Sequence, residues 1–138
     1  MKINQILHSY LACLAVFLII ISCSKSDDTV EPVIEEQVDV IDPALVGTWE
    51  GTVSGSFGDA DMTMVLESNG DMSAEGSTSL YCPMDAKWKV KSNRFKASGN
   101  DRCDGTSVTF DAPYSKTKLS GSWSAGSGNS GTFNAEKQ

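Results

Sequence analysis

Few residues in this 138-residue chain are equipped for catalysis. There is one histidine, His8, and there are four cysteines, Cys13, Cys23, Cys82 and Cys103. A Ser-His-Asp triad, a Cys-His pair or a His-ligated zinc needs an imidazole in the folded domain. His8 lies in a segment that reads as removable. Lys2 supplies a positive start, and residues 11–21 form an unbroken apolar run of eleven. That length suits the core of a secretory signal and falls short of the roughly 20 residues a membrane span needs. Ser22 then provides the small residue a cleavage site requires. Loss of residues 1–22 takes the histidine away. Carboxylates are plentiful, and Asp59 with Asp61, or Asp85 with Glu75, could form an acid/base pair. Nothing in the sequence draws either pair into a pocket, so exposed strand-end carboxylates are expected. With no Gly-rich phosphate loop either, no catalytic residue is assigned and a non-enzymatic protein is expected.

Cys23 reads differently. Ile20-Ile21-Ser22-Cys23 resembles the lipobox of bacterial lipoproteins. The resemblance implies cleavage before Cys23 and acylation of both its thiol and its new amino terminus. One acyl chain anchors marginally, whereas two or three hold stably. An ordinary secretory signal with Cys23 in a disulfide is the competing reading. Ser24 at the following position implies the outer membrane, as in enterobacterial lipoprotein sorting. Ser24-Lys25-Ser26-Asp27-Asp28 is similar to the lysine-plus-acidic-pair signal of surface-exported lipoproteins in the Bacteroidetes, which implies display outside the cell. On this reading Cys82 and Cys103 remain in an oxidising compartment, where one disulfide is the default. It would close a loop of about 20 residues and stabilise by roughly 3 kcal/mol in the chain-entropy model. Residues 100–105, Asn-Asp-Arg-Cys-Asp-Gly, resemble part of a calcium loop. The acidic residue needed at its twelfth position is missing, because Ala112 stands there. A disulfide-pinned turn is expected, with no metal site and no cofactor.

These residues sit on three segments: a signal (1–22), an acidic tether (23–45) and a domain (46–138). The tether carries Asp27, Asp28, Glu31, Glu35, Glu36, Asp39 and Asp42 against Lys25, with Pro32 and Pro43. Its aliphatics, among them Val33, Val38, Val40 and Ile41, follow no clean period. That composition suits an extended spacer; a segment that docks on a partner is the alternative.

From residue 46 the chain alternates apolar and polar residues between turn signals, the pattern of antiparallel strands. Eight strands are predicted over 46–55, 61–68, 71–78, 84–91, 94–99, 105–111, 116–124 and 130–136. Ala86, Trp88 and Val90 point one way while Lys87, Lys89 and Lys91 point the other. Ser92-Asn93 and Asn69-Gly70 read as hairpin turns. Short links favour an all-β, eight-stranded antiparallel up-and-down barrel, with a two-sheet sandwich as the competitor. Gly51, Gly76 and Gly121 fall on or near the inward face, where they would relieve crowding, permit strand coiling or leave a cavity.

Gly47-Thr48-Trp49 resembles the Gly-x-Trp opening of the calycin group, and the chain resembles the compact lipocalin-like lipoproteins of Bacteroidetes more closely than full lipocalins. The resemblance implies that Trp49 packs across one end of the barrel. Full lipocalins are longer, end in a helix and carry further motifs that are missing here.

Two kinds of partner follow. A small apolar ligand inside the barrel would be lined or plugged by Trp49, Trp88, Trp123, Phe95 and Met64. A protein-interaction or inhibitor module would use residues 33–41 and the loop carrying Cys82. A passive subunit of an envelope complex is a third alternative. Lys87, Lys89, Lys91, Arg94 and Lys96 gather on one hairpin as a polyanion site would. The domain nevertheless holds nine basic against eleven acidic residues, a net of −2. Nucleic-acid binders are usually basic, so no nucleic acid is expected.

Overall fold

The computed structural model describes residues 38–138. The signal, Cys23 and the tether up to residue 37 lie outside them. Eight strands follow in order: β1 (Gly47–Gly55), β2 (Gly58–Leu66), β3 (Asp71–Gly76), β4 (Met84–Lys91), β5 (Arg94–Asp101), β6 (Ser107–Pro113), β7 (Lys118–Ala125) and β8 (Ser130–Lys137). Each pairs antiparallel with its sequence neighbours, and β1 pairs with β8. The sheet therefore closes into a barrel, not a sandwich, and leaves no edge along most of its length.

Alternation selects the inward side. Trp49, Val53, Met62, Met64, Trp88, Phe95, Phe110, Leu119 and Phe133 are buried, and no polar or charged residue is buried among the described residues. Ser92 and Asn93 both adopt positive φ, 53° and 57°, as a two-residue turn between right-twisted strands requires. At the β2–β3 turn Gly70 takes φ +82° and Asn69 accepts the Asp71 amide at 2.8 Å. The first hairpin is tighter than the sequence pattern suggested. Gly55 pairs with Gly58 around Ser56 and Phe57, so β2 starts three residues before its predicted start at residue 61.

The tether assignment needs correction at its end, because residues 39–45 pack onto the barrel. β3 covers β4 only from Met84 to Lys87. Val40 takes up the exposed backbone beyond, exchanging hydrogen bonds with Val90 at 2.7 and 3.0 Å. Asp42 caps a 3₁₀ turn, Pro43–Leu45, by accepting the Ala44 amide. Its other carboxylate oxygen accepts the Tyr114 hydroxyl, and these bonds hold Asp42 below the usual carboxylate range. Leu45 is fully buried, and its carbonyl accepts the Trp49 indole N–H at 2.9 Å. Lys137 donates to the Ala44 carbonyl at 2.7 Å. The segment thus seals one end of the barrel, here the closed end.

Candidate functional site

The opposite end is built from the β1–β2 turn (56–57) and the loops 77–83, 102–106 and 126–129. The longest of these leaves β3 with Tyr81 folded inward. Tyr81 donates its hydroxyl to the Gly58 carbonyl at 2.5 Å. Its ring meets Phe57 and Trp123 edge-on, with centroids 6.0 and 5.9 Å away, a favoured aromatic geometry. Burial, together with the charge of Asp59, raises the phenol's pKa and keeps the donor protonated. Trp123 is fixed by its N–H to the Ser54 carbonyl at 3.0 Å. Gly76 leaves the room that Tyr81 needs, since a Cβ there would lie 2.7 Å from the tyrosine Cβ.

The Cys82–Cys103 disulfide ties this loop to the β5–β6 turn, with Cα atoms 6.0 Å apart. Asp101 shapes that turn: one carboxylate oxygen accepts the amides of Cys103 and Asp104, at 3.0 and 2.9 Å. Asp104 in turn accepts the Thr106 amide, and Thr106 is the main cause of its lowered pKa. Asp101 and both cysteine sulfurs lie together, but the bonded sulfurs offer no thiolate to a metal.

Between these lips lies a cavity of about 260 Å³. Val53, Met62, Met84, Val108, Phe110 and Trp123 form much of its wall, and Asp101 and Asp104 stand at its rim. Phe57 and Leu80 add exposed apolar surface, 43% and 57% accessible. The volume lies just under the roughly 300–1,000 Å³ of ordinary small-molecule sites, which suits a fragment-sized guest.

The residues predicted to line or plug a site divide between the two ends. Trp123 lines the cavity. Trp49, Met64, Trp88 and Phe95 do not; all four are at most 1% exposed and fill the closed half. Trp88 stacks with Phe95 at 6.3 Å and donates to the Glu67 carbonyl at 3.1 Å. Phe57 and Tyr81 are not among the predicted lining residues, and the pattern at residues 100–105 assigns Asp101 only to a disulfide-pinned turn. The trace of Tyr81 in the sequence is faint: an apolar Leu80-Tyr81 pair in a Ser/Thr-rich loop beside Cys82.

The basic hairpin is partly offset by carboxylates on the outer face. Lys87 pairs with Asp71, and Lys89 and Lys91 share Asp39 at 2.6 and 3.6 Å. Arg94 and Lys96 share Asp111. Exposed pairs of this kind stabilise little, yet they offset three of the hairpin's five positive charges. The imagined carboxylate pairs do not converge in the cavity. Asp59 and Asp61 stand two residues apart on the exposed face of β2. Asp85 is bound to Arg102, whose hydrogen bonds lower its pKa.

The described residues define a small closed β-barrel with one sealed end and one apolar mouth. No protein-family model matches the chain, and no curated protein matches it. Among solved structures it is similar to a redesigned β-barrel, with TM-score 0.58 and 19% identity over 69% of this chain and 92% of that one. It is also similar to a de novo designed fluorescence-activating β-barrel, with TM-score 0.53 and 15% identity over 72% and 100% of the two chains. At these identities the likeness establishes the eight-stranded fold.

Proposed function

We propose that this protein is a non-enzymatic, lipocalin-like binding protein, lipid-anchored through Cys23 in the outer membrane, whose barrel mouth takes a small, mostly apolar ligand. The observation that carries the reading is the 260 Å³ cavity, walled by apolar side chains and edged by Trp123 and Tyr81. Pre-formed concave sites with an apolar wall and a few polar groups are the usual form of ligand pockets.

Titration with uncharged aromatic fragments should quench or shift Trp123 emission. Val108→Phe, which fills the mouth, should weaken that binding at least tenfold while leaving the thermal transition close to wild type. Equal affinity in wild type and Val108→Phe, or no fragment binding in either, would defeat the reading.

The anchor reading is supported by the four residues ending at Cys23 and the apolar run before them. Cys23→Ser should yield an unprocessed or soluble protein. A Cys23→Ser protein of mature size, unlipidated yet still partitioning with membranes, would sink it. A protein-interaction role is a second reading, favoured by the exposed Phe57 and Leu80 on the lips.

A further inference from the structure

We infer that the mouth takes an amphipathic cation, a small amine with an aromatic or aliphatic body, in preference to an apolar acid. This rests on the reading that the mouth is a ligand site.

Charge is segregated along the barrel axis. Asp59, Asp61, Glu75, Asp85, Asp101 and Asp104 stand at the open end, on strand ends or loops. The basic residue among them, Arg102, is bound to Asp85. The other basic side chains of the barrel occupy the opposite half. They lie on the β4–β5 hairpin from Lys87 to Lys96, in the β6–β7 connection at Lys116, and at the lower ends of β7 and β8, Lys118 and Lys137. The approach to the cavity is therefore negative, and a guest anion would meet repulsion with no basic residue lining the wall.

Asp101 gives this field a local contact. Strand alternation carries Phe95, Ala97 and Gly99 inward on β5, and Asp101 is the next residue in that phase. It is half-buried, faces Met84 across the β4–β5 pairing, and lines the cavity beside Asp104. The apolar wall would hold the body of the guest while these carboxylates meet its ammonium group. The rings of Phe57, Tyr81, Phe110 and Trp123 add faces that attract cations. A low-dielectric wall strengthens such attraction relative to open water.

The test uses three probes with one body: 3-phenylpropylamine, 3-phenylpropan-1-ol and 3-phenylpropionate. Binding to the full-length chain is followed by the NMR shift of the Trp123 indole N–H. The amine should bind at least tenfold tighter than the carboxylate, and the alcohol should fall between them. Asp101→Asn with Asp104→Asn preserves the turn's acceptors. It should cut amine affinity about tenfold, change alcohol affinity far less and abolish the preference for the amine. Raising the salt should weaken the amine alone. A carboxylate that binds as tightly as the amine overturns the inference and leaves the cavity reading standing. So does an amine preference that survives in the double variant. Failure of all three probes to move the Trp123 signal overturns both.

Discussion

Trp49→Ala should destabilise the barrel by about 3–5 kcal/mol, the range for deleting a fully buried large aromatic. The ring is completely excluded from solvent, and its N–H holds the Leu45 carbonyl. Removing it leaves a void between β1 and the closed end, and it frees the 3₁₀ turn that Leu45 anchors. The effect should therefore spread to residues 38–45. A domain of about 100 residues loses roughly 4–8 °C in Tm per kcal/mol, so thermal denaturation should shift down by some 12–40 °C. Hydrogen exchange should also speed up at the Val40 and Val90 amides, which bond to each other's carbonyls. A loss below about 1 kcal/mol would mean that Trp49 is not the closing plug described here.

Gly51→Ala is the second large effect, and it arises from crowding. Gly51 lies between Met62 of β2 and Ala135 of β8 in the pairing register. A Cβ at this position would fall 1.8 Å from the Asn134 carbonyl oxygen and 2.8 Å from the Ala135 Cα. Both are backbone atoms of the strand that closes the barrel, so no rotamer change relieves the clash. The strands must part instead. Overpacking usually costs about 1–3 kcal/mol, and this position should reach or exceed the upper end. Urea unfolding measures it directly; a midpoint indistinguishable from wild type would refute the close approach. A Cβ added at Gly121 would likewise fall 2.1 Å from the Asp111 carbonyl oxygen. Of the three purposes open to the inward glycines, relief of crowding is the one these contacts support, against backbone at Gly51 and Gly121 and against the Tyr81 side chain at Gly76.

The strands and their inward faces were legible because alternation has a period of two, which assigns every strand residue to one side. Trp49, Trp88, Phe95 and Phe133 all fell inward for that reason. Short links favoured a closed barrel over a two-sheet sandwich, and the β1–β8 pairing decides for the barrel. Alternation carries no information about height along the barrel axis. Trp88 and Trp123 have the same inward phase, yet one stacks on Phe95 in the closed half and the other edges the mouth. Their separation comes from strand register, which pairs Trp88 with Ala97 and Trp123 with Phe110 and Gly131. The candidate lining residues were therefore chosen for the right side of the wall, with four of the five at the other end from the cavity.

Two further features depended on contacts distant in sequence. Asp39 reads as one acidic residue among many in a spacer, but it pairs with Lys89 and Lys91 some 50 positions away. Val40 has no strand neighbour in sequence, and it finds one because β3 is too short to cover β4. What the sequence by itself determined is the all-β class, the number and order of strands, their inward faces and the near neutrality of the barrel. All of these follow from local periodicity, turn chemistry and composition. Tertiary structure alone decided which end is sealed, where the cavity opens and which carboxylates stand over it. Those depend on strand register and on a loop tied across the mouth, which act between residues that no local pattern connects.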